Sequence, residues 1–465
     1  MSLRLPFLEW DRLLRTWRSP LSFTTLVPIR GCGEPALRAR LDGLAPELER
    51  ALPAVEDLHS FRLVVVPPTV TGVKELHLLM NVVHDRPLEE HLRALIGAVG
   101  ALLVRAFEPA GVSDSAALVA LWRRHRVRQN TMHLGVPRRS LADIRRDRGL
   151  REEIGRFADQ ELAAGRWPDD TPAETIRRQI RDHVLAVAHE RSLPTSPAPR
   201  LSLLGRVLRL VDFVNTFAFP AMGTLATDIG IAIDRIAVRG RRELTRLAYR
   251  VWWIYAAIPT GLALAGVRWL ELREPEIVLP PADPEKVQRL ESVEDRRLKN
   301  EVTYWFTIKE SWMRRLLMRV VLWGSEGGCR HLWTDGELSG IGTIHYARLL
   351  QLADKRVMLF MSDYDGSLDR YLMDFTGVGS RAVIPISSNV KGCPRTRCLY
   401  GREDPATFAP RLRNLLRTYQ LETSVWYNAY PALTVRDVWV NASIRDGLFA
   451  DVMTEEEAQQ WADLL

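Results

Sequence analysis

Cysteine is sparse in this chain of 465 residues: Cys32, Cys329, Cys393 and Cys398 form no C-x-x-C pair and no dense framework. That excludes a zinc ribbon and a stapled secreted scaffold, and it fits a reducing compartment. Lysine is scarcer than the charge suggests. Only Lys74, Lys286, Lys299, Lys309, Lys355 and Lys391 stand beside an excess of arginine, for a formal net charge of +7. A basic balance favours anionic neighbours, either nucleic acid or acidic lipid. Zinc-knuckle spacing, an aromatic RNP-like strand and a Lys/Arg tail are all missing, which argues against a nucleic-acid partner. A secretory h-region is missing too, because Glu9 and Asp11 interrupt the apolar start. Disorder is excluded by a hydrophobic content of 46%. The length exceeds what one core usually organises, so two packed units or one pseudo-symmetric unit is expected.

What is present is repetition. Ser22–Arg30 reads as a strand, followed by a helix from Glu34 to about Leu48, strands over Leu58–Val66 and Glu75–Val83, and a helix from Leu88 to about Phe107. The same order returns as Glu301–Lys309, a helix over Ser311–Trp323, Ile344–Leu352, Val357–Ser362 and a helix opening at Leu368. Thr303, Ile308 and Lys309 stand opposite Thr24, Ile29 and Arg30, and His345-x-x-Arg348 answers His59-x-x-Arg62. A β-α-β-β-α unit is the split βαβ of ferredoxin-like domains. Its sheet carries helices on one face only, so the other face needs a partner. The expected fold is therefore α+β, with two ferredoxin-like repeats, 20–140 and 300–448, forming a pseudo-dimeric α+β barrel. The second repeat continues with a strand-like segment over Ala382–Asn389, a helix from Thr407 and a strand over Thr423–Tyr430. Between the repeats lie a charged helical connector, 141–200, and an apolar helical insert, 201–275, with proline clusters marking the linkers.

Within the insert, Val251–Val267 is uncharged for 17 positions, at the short edge of what a bilayer span needs. Arg239, Arg241, Arg242, Arg246 and Arg250 precede it, Arg268 and Arg273 follow it, and Trp252, Trp253 and Trp269 lie at its ends. With both flanks basic, an embedded hairpin or an in-plane helix explains the pattern better than a full crossing. Leu203–Phe219 suits an in-plane amphipathic helix. These features predict a protein on the cytoplasmic side of a membrane, peripheral or partly embedded, with the lipid surface as partner. A buried helical hairpin is the alternative, and Pro259 and Gly261 fit a turn under either.

Polar residues crowd the second repeat. His345 and Arg348 lie three apart on one strand and point to opposite faces if the strand is regular, with Tyr346 on the side of Arg348. Only one of the two then enters a cavity between sheets. Ser362–Ser367 closes a strand and opens a helix; Asp365, Gly366 and Ser367 are cap and turn chemistry, while carboxylates such as Asp363 and Asp365 are suited to proton handling. Asn389, Arg395, Arg397 and Tyr427 add polar groups at element ends, where function often gathers.

The segments Ile344–Arg348, Ser362–Ser367, Ile386–Thr396 and Val425–Val435 resemble a bacterial protein family carrying the consecutive patterns I-H-F-A-R, S-N-Y-D-G-S, W-S-N-T-x-G-F-P-R-T and V-W-Y-S-A-Y-P-x-L-T-V. More remotely, the duplicated chain resembles the dimeric α+β barrel superfamily, which includes dye-decolourising peroxidases and chlorite dismutases. That resemblance implies haem held between sheet and helices by an axial histidine, with a distal arginine or an aspartate from a G-x-x-D-G motif. Here Asp365 and Gly366 keep the end of the motif, and Ser362 replaces its first glycine. By the same resemblance His345 is the first candidate for the iron ligand, with His331 and His59 behind it, and Asn389 and Arg397 as further cofactor contacts. Arg348 or Asp365 would assist O–O cleavage, with Asp363 and Tyr346 beside them. Two functions follow: a haem-dependent peroxidase-like oxidoreductase acting on a hydrophobic or lipid-derived small molecule, or a non-catalytic membrane-surface protein binding lipid or an acidic partner. The sequence is compatible with a homo-oligomer under both.

Overall fold

Residues 58–66 are buried on both faces of their alternation, so this strand must sit inside a sheet that is covered on each side. The computed structural model describes residues 20–465 apart from 71–72, 128–130, 169, 199–260, 332, 334–335, 339, 353–355, 377–379 and 397–404. One sheet contains β1 (Leu21–Pro28), β2 (Leu58–Val66), β3 (His77–His84) and β8 (Thr423–Asn428) in the order β1-β3-β2-β8, all antiparallel. The other contains β4 (Thr131–Leu134), β5 (Lys299–Thr307), β6 (Ile344–Leu352) and β7 (Val357–Asp365) in the order β4-β6-β7-β5, also antiparallel.

Helices α1 (Glu34–Ala51) and α2 (Leu88–Phe107) cover the outer face of the first sheet. Leu37, Leu41, Leu44 and Leu48 from one, and Leu92, Leu95, Val99 and Leu103 from the other, meet Phe61, Leu63, Val65 and Met80. This is the 3.6-residue stripe of an amphipathic helix laid on the two-residue alternation of a strand. Helix α3 (Ser115–Arg124) closes this side with Trp122. After β4 come α4 (Leu141–Ala163) and α5 (Ala173–Arg191), then a helix over 261–273, here α6, and α7 (Pro284–Glu291). The second sheet is covered by α8 (Trp312–His331), α9 (Leu368–Thr376), α10 (Ser380–Ser387) and α11 (Pro405–Tyr419), and the chain ends with α12 (Val435–Leu448) and α13 (Glu455–Ala462). The inner faces of the two sheets meet through Val64, Val66 and Leu79 on one side and Trp305, Leu350, Leu359 and Met361 on the other.

The α+β class stands and the two sheets repeat one another in outline, but the expected barrel does not form. Two separate four-stranded sheets stack face to face, and neither closes. The reason lies in the fourth strands. β4 follows the first unit yet pairs with β6 of the second, while β8 follows the second unit and pairs with β2 of the first. Each donated strand gives its ladder to the other unit's sheet. Only its lead-in residues touch the edge strand of its own unit, through the single bridges Thr25↔Arg126 and Tyr304↔Gln420. The segment over Ala382–Asn389 also departs from expectation, since 380–387 form helix α10. Pro385 has no N–H to give to a ladder, which disfavours a strand there. Leu203–Phe219 and most of Val251–Val267 lie outside the described residues.

The exchange extends the duplication beyond the expected βαββα unit. The N–H of Gly135, just after β4, donates to the His345 carbonyl at 2.9 Å, and the N–H of Ala429, just after β8, donates to the His59 carbonyl at 3.0 Å. A Cβ on Gly135 would fall 2.1 Å from the Ile344 carbonyl oxygen, a backbone atom with little freedom to move. Gly135→Ala is therefore expected to loosen β4 and lower the unfolding free energy by about 1–3 kcal/mol, read from urea denaturation. An unchanged midpoint would contradict this docking of the donated strand.

Candidate functional site

Both H-x-x-R histidines occupy a β-bulge. Leu58 pairs with His84 and Ser60 with Val83, leaving His59 as the extra residue; Ile344 pairs with Tyr364 and Tyr346 with Asp363, leaving His345. A bulge re-aims side chains, which corrects the expectation that His345 and Arg348 part company. His345, Tyr346 and Arg348 all reach the interior between the sheets: the His345 ring lies 6.3 Å from Tyr346 and 5.7 Å from Tyr430, and the Arg348 guanidinium 5.9 Å from the Tyr346 ring.

Each bulge histidine heads the same short chain of contacts. His59 Nε2 meets Asp85 Oδ1 at 2.9 Å, and Asp85 Oδ2 accepts the N–H of Leu141, the first residue of α4, at 2.8 Å. In the second unit His345 Nε2 meets Asp365 Oδ1 at 2.7 Å, and Asp365 Oδ2 accepts the N–H of Val435, the first residue of α12, at 2.8 Å. Both helices open with a capping box, Ser140 with Asp143 and Thr434 with Asp437. The caps and the incoming aspartates satisfy N–H groups that a helix start leaves unpaired, and the carboxylates lie where the helix dipole favours negative charge.

Around this symmetric frame the second unit has added polar groups. With Nε2–H donated to Asp85, His59 accepts at Nδ1 from the Tyr346 hydroxyl at 2.9 Å, and Tyr346 meets the Tyr430 hydroxyl at 2.5 Å. Lys299 Nζ lies 3.5 Å over the Tyr430 ring and donates to Asn428 Oδ1 at 3.3 Å. Burial holds the Lys299 ammonium well below the ordinary lysine range, against the pull of Asp365 and Asp363. Arg62 crosses from the first sheet to donate to Asp363, to Glu301 at 2.8 Å and to the Val302 carbonyl at 3.0 Å. Arg348 reaches the other oxygen of Asp363 at 3.1 Å. Burial alone would raise the Asp363 carboxyl, but the two guanidiniums hold it below the usual range. Arg348 itself is pushed down to about 10 by burial.

The structure thus brings together His59, His345, Tyr346, Arg348, Asp363 and Asp365. Asn389 lies apart, donating to the Pro385 carbonyl at 3.0 Å and accepting from Arg314 at 3.2 Å. His331 ends α8 with its side chain outside the described residues, as is Arg397. Sequence reasoning missed Asp85, Lys299 and Tyr430. Tyr430 sits inside the V-W-Y-x-A-Y-P pattern, and Lys299 is one of few lysines, but nothing local marks Asp85 as the partner of His59. This cluster can hold protons along Asp85–His59–Tyr346–Tyr430 and fix the register of the sheets.

Haem does not fit at His59, and nothing at His345 is specific to it. An axial imidazole needs a free nitrogen facing open space for the macrocycle and its distal ligand. Both nitrogens of His59 are engaged, whereas His345 is engaged by Asp365 at Nε2 and keeps a buried Nδ1 with no hydrogen-bond partner among the described residues. A different group has metal-ligand composition. Asp57, His84 and His91 are buried with their ligand atoms within 4.8 Å of one another, a cluster able to coordinate a metal ion and not specific to haem. His91 Nδ1 meets Asp57 at 3.0 Å and His84 Nδ1 meets the Arg86 carbonyl at 2.8 Å, which leaves both Nε2 atoms as acceptors. The two rings stack at 4.2 Å and 11°. Stacked rings keep their lone pairs in two parallel planes, so an ion shared by both requires one ring to turn.

Among the described residues no single helix is long and apolar enough to cross a membrane. One bent pair, Leu88–Ala110 with Ser115–Arg124, meets the requirement by length and composition with a bend of 60°. The same pair supplies much of the first core.

No family model, no curated protein and no solved structure matches this chain.

Two outcomes test the interior. Asp363→Asn strands two buried guanidiniums and is expected to cost about 3–5 kcal/mol of unfolding free energy; a cost below 1 kcal/mol would show the carboxylate is not the shared counter-ion. Burial also holds His84 and His133 at about 3 and lowers His345. The unfolded chain protonates these rings near pH 6.5, so it binds more protons than the native state below that pH. Their contribution is full above about pH 6.5 and is lost as pH falls, by up to about 1.4 kcal/mol per pH unit for each ring. Urea unfolding from about pH 7 to about pH 5 is expected to show this decline; a level profile would contradict neutral burial.

Proposed function

We propose that the chain works at a membrane surface, binding anionic lipid through the C-terminal end of its apolar insert, and that the buried polar interior serves the fold rather than a reaction. The observation that carries this reading is the outward face of α6. Ala263, Val267 and Leu270 pack into the second core, at the spacing of one helical face. On the opposite side Leu262, Trp269 and Leu272 remain exposed at 69%, 46% and 56%. Exposed leucine and indole side chains on the face turned away from a core call for another apolar cover, and α6 has a core on only one side.

The neighbouring surface has the same character. Leu317 of α8 lies against Gly266, and Arg314 of α8 pairs with Glu274 at 2.7 Å, which joins the two helices. Trp312 and Leu316, one turn apart on α8, are exposed at 66% and 46%. Arg273 stacks on Trp269 at 4.2 Å, and Arg315 and Arg319 follow on α8. Indole, leucine and arginine together are the chemistry of the bilayer interface, where aromatic and aliphatic groups enter the acyl boundary and guanidiniums meet phosphate. The uncharged run 251–267 leads directly into α6, and the arginines around it favour a leaflet rich in anionic lipid, such as the cytoplasmic one. An acidic protein partner would satisfy the arginines but not the aliphatic face. The haem-dependent reading has less support, because both nitrogens of His59 and the Nε2 of His345 are already engaged.

Flotation of the full chain with vesicles tests the proposal. Binding to vesicles containing phosphatidylserine is expected, weakening as salt rises. A Leu262→Ser, Trp269→Ala, Leu272→Ser variant that keeps its circular dichroism should lose at least about tenfold in partitioning, since each side chain contributes on the order of 1 kcal/mol or more. A wild-type chain that ignores these vesicles, or a variant that floats as well as wild type, would overturn it.

A further inference from the structure

Between the second sheet and helices α8, α10 and α11 lies a cavity of about 90 Å³. It is walled by Phe306, Leu349, Met358, Phe360, Phe375 and Leu412. Among the polar side chains that also line it are two from the outermost strands of the sheet, His133 on β4 and Tyr304 on β5. Each is only 1% exposed. Neither nitrogen of His133 and not the hydroxyl of Tyr304 has a hydrogen-bond partner among the described residues. Thr131, also in the wall, is already spent, donating its hydroxyl to the Leu322 carbonyl at 2.9 Å.

Buried polar atoms without partners are rare in folded proteins, because each forfeits its hydrogen bonds to water. Here three such atoms belong to two side chains on one apolar chamber. Burial keeps both neutral, with the imidazole at about 3 and the phenol well above the ordinary tyrosine range. The chamber therefore offers a neutral acceptor and neutral donors inside a hydrocarbon wall. It has no fixed charge to pair with an ion, and an unpaired ion would be excluded by its desolvation cost. The volume lies between the ~30 Å³ share of one water and the ~150 Å³ of an apolar cavity that accepts benzene.

We propose that this cavity is a binding site for a small neutral molecule, mostly apolar and carrying one oxygen, an alcohol or a ketone, whose oxygen is held by His133. The proposal is independent of the membrane reading, because a chain that fails to float with vesicles can still bind such a molecule. The experiment titrates the full chain with 1-butanol, 2-butanone and butyrate while following the imidazole resonances of His133 and the thermal midpoint. Saturable shifts of His133 and a raised midpoint with the alcohol or the ketone, and none with butyrate, are expected. A His133→Leu, Tyr304→Phe variant should bind the same probe at least tenfold more weakly. The alcohol-against-carboxylate comparison on the wild-type chain needs no variant and stands if the variant does not fold. Absence of a saturable shift with either neutral probe would overturn the proposal. So would butyrate binding as tightly as butanol, undiminished binding by the folded variant, or His133 resonances fixed by a bound water that no probe displaces.

Discussion

One carboxylate ties the two sheets together. Asp363 lies on the inner face of the second sheet and accepts from Arg62 of the first and from Arg348 of its own. Such a triad is expensive to bury and seldom adds net stability over a well-packed apolar substitute. Its value is geometric. The guanidinium of Arg62 also reaches Glu301 and the Val302 carbonyl, so the sheets cannot slide by a residue without stranding a charge. Apolar contacts such as Val64 and Leu79 against Leu350 and Trp305 supply the attraction between the sheets. The ion network chooses one register among those that attraction would tolerate.

The two units are worn copies that have divided the labour. Both keep the bulge histidine, the aspartate beneath it and the helix start that receives the aspartate. Only the second has a tyrosine after the bulge and a lysine opening its first strand; Tyr346 answers to Ser60 in the first unit. The symmetric parts hold backbone and helix ends in place, and the added parts fill the shared interior with hydrogen bonds that cross between units.

Much of this was legible in the sequence. Periodicity and the repeated H-x-x-R marked the duplication, the strands β1 to β3 and β5 to β7, and six residues that do meet in the interior. What was not legible depends on long-range pairing. Thr423–Asn428 reads as a strand, but the sequence does not say whose edge it joins, and Thr131–Leu134, only four residues long in a charged region, is not marked as a strand at all; that pairing decides between a barrel and two open sheets. The bulges at His59 and His345 escaped for a related reason: a bulge appears only when two strands are laid side by side, because the residues themselves alternate normally. Pro385, by contrast, was a readable signal against a strand over Ala382–Asn389.

The exchange of fourth strands also sets an order of events on the ribosome. β2 finds its outer neighbour in β8, which is synthesised long after it. Until β8 emerges, the first sheet has its helical cover and an unpaired edge. A nascent chain in that condition is exposed to pairing with another copy of itself, so the interlock that makes the finished protein indivisible also makes its birth slow and in need of protection.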